Sequence, residues 1–135
     1  MARIMERQAL KDAEILVVDD EEDIRRFLAG LLAGEGARVA AAADGAAAFE
    51  MAATGAYDLV VADLRMPVMD GMDLVRALHR VAPSTRVVLI TAYGDVHSFI
   101  DAMALGADAF VKKPFTVDRI LQVIQSALAH QGRRR

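Results

Sequence analysis

The chain contains no cysteine among its 135 residues. This absence excludes disulfide bonds, thiolate nucleophiles and zinc sites built from cysteine. The sequence also lacks any apolar stretch near the roughly 18–20 residues that a membrane-spanning helix needs, and its N-terminus lacks the apolar core of a signal peptide. We therefore expect a cytoplasmic protein that does not contact a membrane.

A strong charge of either sign is missing too. The formal net charge is -3 at pH 7, and the three arginines at residues 133–135 are too few to indicate nucleic-acid binding. No nucleotide-binding loop of the Walker or GxGxxG type occurs. The length fits one domain. We predict this domain at residues 14–130, between an N-terminal extension at residues 1–13 and a basic tail at residues 131–135.

Short apolar segments alternate along the chain with helical patterns. Strands are predicted at residues 14–18, 37–42, 57–62, 86–90 and 108–112. Amphipathic spacing predicts a helix after each strand, with the apolar positions Ile24, Phe27, Leu28, Leu31 and Leu32 in the first helix and Val96, Phe99, Ile100 and Met103 in the fourth. This alternation predicts an α/β fold, in which a doubly wound parallel sheet is covered by helices on both faces through right-handed crossovers.

The run ILVVDDEED, residues 15–23, joins a buried strand directly to five acidic residues. In a parallel sheet all strands end at the same edge, which is where such folds bind ligands. That edge should hold Asp19 and Asp20 after the first strand, Asp63 after the third, Thr91 after the fourth and Lys113 after the fifth. Because converging carboxylates repel one another, we expect a cation among them, and an all-oxygen site suits Mg²⁺.

Each of these residues also has a purely structural interpretation. The acidic run is typical of a helix cap and first turn, Asp63 and Thr91 suit turns, and a lysine before proline suits a strand end. The occurrence of these polar residues together, at the ends of four strands, favours a binding site over the separate structural interpretations. We expect Asp19 and Asp20 to face the metal, while Glu21, Glu22 and Asp23 enter the helix and face water.

Four motifs resemble the receiver domain of bacterial two-component response regulators: VVDDEEDIRRFL, DLRMPVMDG, ITAYGD and GADAFVKKPF. They occur in the family's order and spacing across residues 15–128. The residues of the second and third motifs are most similar to those of receivers of the NtrC type. The resemblance implies a flavodoxin-like sheet with strand order 2-1-3-4-5 and a switch that is phosphorylated rather than an enzyme acting on a separate substrate.

By this resemblance Asp63 matches the phosphoacceptor. Asp20 matches the direct Mg²⁺ ligand, Asp19 the acid that holds the metal mainly through water, and Arg65 the residue whose backbone carbonyl is a ligand; Mn²⁺ or Ca²⁺ are expected to substitute for Mg²⁺. Thr91 and Lys113 match the groups that contact the phosphoryl oxygens. The positive charge of the metal and of Lys113 suits the charge spread over a transferring phosphoryl group.

The resemblance further implies a cis peptide bond before Pro114 and a switch aromatic at Phe110, which lacks the hydroxyl of the more common tyrosine. Arg65 and Tyr93 flank the approach of water, so we expect them to modulate the lifetime of the phosphoryl group. The implied partners are a sensor histidine kinase or phosphotransfer protein as donor, and an output protein or a second copy of the chain at the face formed by residues 95–129.

Two other functions remain open at this point. A phosphatase of the haloacid dehalogenase type also uses an aspartate nucleophile and Mg²⁺, but it needs a general-acid aspartate two residues later, where this chain has Arg65. No cap domain is evident either. The second is a degenerate receiver that acts as a constitutive protein-interaction module. The presence of all the expected site residues argues against this second function.

Overall fold

The computed structural model describes residues 9–92 and 96–129. Strands and helices alternate along this part of the chain, in the order β1 (Glu14–Val18), α1 (Glu22–Gly34), β2 (Arg38–Ala42), α2 (Gly45–Thr54), β3 (Leu59–Asp63), α3 (Gly71–Val81), β4 (Arg86–Thr91), α4 (Val96–Leu105), β5 (Ala109–Lys112) and α5 (Val117–Ala129). The predicted elements are confirmed, with ends that differ by one or two residues. The basic tail predicted at residues 131–135 lies outside the described residues.

The five strands are all parallel and lie in the order β2-β1-β3-β4-β5. This order confirms the predicted flavodoxin-like fold. The sheet's two faces carry separate apolar clusters: α1 and α5 cover one face, and α2, α3 and α4 cover the other. Since β1 and β3 are the central neighbours, their ends meet where the strand order reverses, which is the usual ligand position in such sheets.

The helix ends follow from local sequence. Asp44 begins α2 by accepting a hydrogen bond from the backbone N–H of Ala47. Asp70 and Asp73 form a reciprocal capping box at the start of α3. Gly36 and Gly106, which follow α1 and α4, adopt positive φ values of 97° and 113°. These caps fix where each helix begins or ends relative to the sheet.

In α1 and α4, some side chains of the predicted apolar face are exposed to solvent. Phe27 belongs to the predicted apolar face of α1, but its side chain is 49% exposed. On this helix it is Leu28 and Leu32 that are buried. In α4, Phe99 and Ile100 are 47% and 55% exposed, while Ala102 is buried against the sheet. The helix therefore presents its largest apolar side chains to solvent.

The segment before β1 takes part in the core. Leu10 is fully buried, Ala13 is buried, and both belong to the cluster covered by α1 and α5. The backbone N–H of Asp12 donates to the carbonyl of Gly36 at 2.8 Å. The division between extension and domain at residue 14 stays a prediction. Among the described residues, no helix is long and apolar enough to cross a membrane.

Candidate functional site

Three carboxylates converge at the edge where the strands end. Asp19 and Asp20 follow β1, and Asp63 is the last residue of β3. β1 and β3 pair in register, with Val18 beside Ala62, so both strands end at the same height. One carboxylate oxygen from each aspartate lies within 4.8 Å of the others. An all-oxygen set of this kind suits a hard divalent cation.

The acidic run after β1 divides into two parts, with Glu21 at the N-cap position of α1 rather than inside the helix as predicted. Asp19 is only 2% exposed and Asp20, although exposed, belongs to the carboxylate cluster. Glu21, Glu22 and Asp23 are exposed, and the last two lie in the first turn of α1. Negative charge is favourable there because the helix dipole is positive at its N-terminus.

Backbone and side-chain contacts hold Asp19 in place. Its Oδ1 accepts a hydrogen bond from the backbone N–H of Glu21 at 2.8 Å. The Arg25 guanidinium donates to the Asp19 carbonyl at 2.7 Å, a contact that no local sequence motif predicts. The pKa of the Asp19 carboxyl is raised to about 6. Burial is the largest cause, and the negative charges of Asp63 and Asp20 also raise the pKa, whereas the Glu21 hydrogen bond and the charge of Lys113 lower it. A bound cation would offset this repulsion.

Lys113 joins the cluster from the end of β5. Its Nζ lies 3.0 Å from Asp63 Oδ2 and 3.9 Å from Asp19 Oδ2, whereas the Lys112 side chain is exposed. Burial alone lowers the pKa of the Lys113 ammonium, but its hydrogen bond to Asp63 and the negative charges of Asp63 and Asp19 raise the pKa above its ordinary value. Lys113 is therefore protonated at neutral pH.

Both carboxylate oxygens of Asp63 have partners. The backbone N–H of Arg65 donates to Oδ1 at 2.9 Å, and Lys113 donates to Oδ2. Asp63 is 6% exposed, so its side chain is largely shielded from solvent. The Arg65 side chain is exposed. Tyr93, the other residue predicted to modulate lifetime, lies outside the described residues.

Thr91 and Phe110 lie on neighbouring strands beside this cluster. Thr91 ends β4 and is fully buried, and its carbonyl accepts a hydrogen bond from the backbone N–H of Lys113 at 2.8 Å. Phe110 lies on β5 and packs edge-to-face on Phe99 of α4, with ring centroids 5.9 Å apart. The sequence pattern did not predict this contact between the two phenylalanine rings. The peptide bond between Lys113 and Pro114 is cis, as expected.

Two glycines hold the loop that follows Asp63, which we call the β3–α3 loop (residues 64–70). A Cβ added to Gly45, at the start of α2, would clash with the backbone carbonyl of Met69 and lie 2.9 Å from its Cγ. A Cβ on Gly71 would lie 2.7 Å from the Asp63 carbonyl oxygen. These approaches are closer than real Cβ contacts, so the loop's position depends on both glycines.

We predict that Gly45→Ala destabilises the domain by about 1–3 kcal/mol, because the added methyl group meets backbone rather than a flexible side chain. Gly30→Ala is the matched control: an added Cβ there meets no atom within 4 Å, so the helix α1 should gain roughly 0.5–1 kcal/mol. Urea denaturation followed by circular dichroism measures both free energies of unfolding. Equal stability of Gly45→Ala and the wild type would contradict the packing described here.

The fold and site together define a flavodoxin-like domain with an acidic site at the carboxyl edge of its sheet. Residues 15–125 match the family model of the response regulator receiver domain. The chain therefore belongs to the response regulator receiver family.

Individual relatives agree with this assignment. The regulatory protein AtoC of Escherichia coli is 36% identical over 118 residues, which is 87% of this chain and 26% of AtoC. The transcriptional regulator NtrC of Escherichia coli is 33% identical over 116 residues, which is 86% of this chain and 25% of NtrC. The solved structure of the Vibrio cholerae chemotaxis protein CheY4 superposes with a TM-score of 0.80 at 30% identity, covering 85% of this chain and 98% of CheY4. The chain thus spans about a quarter of the length of AtoC and NtrC.

Proposed function

We propose that Asp63 accepts a phosphoryl group in a Mg²⁺-dependent reaction and that the domain passes this state to a partner. The observation that supports it best is the ion pair of Lys113 Nζ with Asp63 Oδ2 at 3.0 Å, inside a cluster of three carboxylates. A carboxylate beside a fixed positive charge suits phosphoryl transfer to aspartate. A degenerate receiver would need neither.

In the proposed transfer, a carboxylate oxygen of Asp63 forms a bond to phosphorus while the bond to the leaving group breaks. The leaving group, an imidazole of a phosphohistidine or a small carboxylate, departs with the electron pair. Lys113 then pairs with one phosphoryl oxygen, and the hydroxyl of Thr91 donates a hydrogen bond to another. Positive charge around the equatorial oxygens stabilises the transition state.

The carboxylates of Asp19, Asp20 and Asp63 and the backbone carbonyl of Arg65 would hold Mg²⁺, with Mn²⁺ or Ca²⁺ as substitutes. When bound, the metal would supply positive charge that stabilises the phosphoryl oxygens. The exposed position of Asp20 leaves room for the metal to retain several waters, as Mg²⁺ prefers.

A sensor histidine kinase or phosphotransfer protein is the proposed protein donor. The proposed output surface is formed by α4, β5 and α5, and binds an output protein or a second copy of the chain. The exposed side chains of Phe99 and Ile100 support this assignment, because large apolar groups in solvent favour an interface. No part of the proposal requires nucleic acid or membrane binding by this domain.

Incubation with acetyl phosphate and Mg²⁺, followed by intact-protein mass spectrometry, tests the proposal. The wild-type chain should gain the mass of one phosphoryl group, and a metal chelator should prevent the gain. An unchanged mass with Mg²⁺ present would favour the constitutive interaction module instead.

Arg65 and Tyr93 are proposed to slow attack by water on the phosphoryl group. We therefore predict that the double variant Arg65→Ala/Tyr93→Ala loses its phosphoryl group several-fold faster than the wild type, since both bulky side chains are removed. Decay of the phosphorylated mass after removal of acetyl phosphate measures the rate. An unchanged or slower decay would show that neither side chain shields the site.

The signal is proposed to pass from Thr91 to Phe110. When Thr91 moves toward the phosphoryl oxygens, the space it leaves admits the Phe110 ring, which alters the edge-to-face contact with Phe99 on α4. Phe110→Ala should keep phosphoryl uptake but reduce the changes in amide exchange that beryllofluoride, a phosphoryl mimic, causes in residues 96–129.

Phe27→Ala is the control for this experiment, since Phe27 is an exposed phenylalanine on α1, outside the proposed output surface. It should leave the beryllofluoride-dependent exchange pattern unchanged. Exchange changes that cluster on residues 24–32 and spare residues 96–129 in the wild type would refute this output surface.

A further inference from the structure

Phe27 lies on a face of α1 that the described residues leave uncovered. Its side chain is 49% exposed. Gly30 and Gly34 follow it at i+3 and i+7, so all three residues lie along one side of the helix. A Cβ added to either glycine would meet no atom of the described residues within 4 Å. The helix therefore has a low, open surface beside an exposed aromatic ring.

This face of α1 lies on the side of the sheet where the described chain begins. Leu31, one turn from Phe27 on the helix, packs against the cluster covered by α1 and α5. Leu10 belongs to that cluster, and Ala9 packs against it. Residues 1–8 therefore join the rest of the chain on the same side of the sheet as α1.

The start of the described chain is also attached near the C-terminal end of α1. The backbone N–H of Asp12 donates to the carbonyl of Gly36 at 2.8 Å. A Cβ added to Gly36 would lie 3.3 Å from the Cα of Lys11. Eight residues span about 12 Å even when they are helical, whereas the path from Gly34 to Phe27 along the helix is about 10 Å. The first eight residues of the chain are therefore long enough to run along this face to the ring.

The first eight residues, MARIMERQ, complement this face in polarity and charge. Ile4 and Met5 supply adjacent apolar side chains. Arg3 and Arg7 supply two cations, whereas α1 has no basic residue in its last turn and is followed by Glu35 at its C-cap. Positive charge is favourable there, because the helix dipole is negative at its C-terminus.

We infer that residues 1–8 dock on α1 and cover Phe27, with the Ile4 side chain against the aromatic ring. The surface and its occupant both belong to this chain. The segment enters at the edge of the sheet where the strands begin, whereas Asp63 lies at the edge where they end. This contact therefore goes beyond the proposed function and does not depend on it. Covering the ring removes apolar surface from water, which stabilises the docked state.

Trypsin measures this docking, because it cleaves after arginine and acts on segments that have opened from the folded surface. Intact-protein mass spectrometry follows the rate of cleavage after Arg7. Phe27→Ala removes the ring. Phe99→Ala is the matched control, because Phe99 is 47% exposed on α4, which covers the other face of the sheet. Cleavage after Arg86, in β4, reports unfolding of the whole domain.

We expect Phe27→Ala to raise the rate constant for cleavage after Arg7 about tenfold, since the apolar cover of the segment is lost. Ile4→Asn should raise it similarly, because it removes the side chain that meets the ring. Ile4→Leu and Phe99→Ala should be cleaved at the wild-type rate. Gly34→Lys should also accelerate cleavage, because it places a bulky cation in the path of the segment, although positive charge at this helix end favours the fold.

Equal rates of cleavage after Arg7 in Phe27→Ala and the wild type would overturn the inference. So would a matching rise in cleavage after Arg86 in both Phe27→Ala and Ile4→Asn, since that result reports lower stability of the whole domain. Light scattering identifies a different occupant. A wild-type dimer that Phe27→Ala converts to a monomer, with cleavage after Arg7 unchanged, would show that a second copy covers the ring instead of residues 1–8.

Discussion

Asp63→Asn is expected to abolish phosphoryl uptake from acetyl phosphate. The amide keeps the shape of the side chain and its position at the end of β3, but it is not a nucleophile and cannot form an acyl phosphate. It also removes the negative charge that Lys113 Nζ contacts at 3.0 Å. Intact-protein mass spectrometry after incubation with acetyl phosphate and Mg²⁺ measures the effect.

The control for this variant is Asp101→Asn, which makes the same chemical change at an exposed position on α4. It should gain a phosphoryl group as the wild type does. A mass gain in Asp63→Asn at the wild-type rate would mean that another residue accepts the phosphoryl group.

Asp20→Ala is expected to remove Mg²⁺ binding, with the affinity lowered by at least about tenfold. Hard cations are held by carboxylate charge, and only three carboxylates of the described residues form this cluster. Asp20 suits the test better than Asp19, since Asp19 is buried and also accepts a hydrogen bond from the backbone N–H of Glu21. Removing the Asp20 carboxylate also reduces its repulsion with the Asp19 carboxylate. The negative charge of Asp20 is one of the causes that raise the pKa of Asp19.

Isothermal titration calorimetry with MgCl₂ measures this affinity. Glu22→Ala is the control: Glu22 is an exposed acid two residues further along, in the first turn of α1 and outside the cluster. It should bind Mg²⁺ as the wild type does. Unchanged affinity in Asp20→Ala would refute the metal site assigned to this cluster.

Much of the fold and the placement of the site residues could be predicted from the sequence. Short apolar runs identify the strands and period-3.6 patterns the helices, and parallel pairing brings every strand end to one edge. The acidic run after β1 and Asp63 after β3 therefore had to meet, and the structure brings them within 4.8 Å of one another. Strand order came from the resemblance, since periodicity alone does not determine it.

Other features depend on tertiary contacts that have no local signature. Helical spacing identifies an apolar face but not whether the fold covers it, so the exposure of Phe27 and Phe99 was not predicted. The contact of Gly45 with Met69 joins positions far apart in the chain. The positive φ of Val68 contradicts the residue's own preference, because the loop geometry around it dominates.

Chemical mapping of the phosphorylated residue tests the central claim most directly. Borohydride reduces an aspartyl phosphate to the corresponding alcohol, which leaves a stable mass change in a single peptide. After phosphorylation of the wild type with acetyl phosphate and Mg²⁺, peptide sequencing by mass spectrometry should find the alcohol at position 63 and at no other. A reduced residue at position 19 or 20, or phosphoryl groups that resist borohydride, would contradict the assignment of Asp63 as the phosphoacceptor.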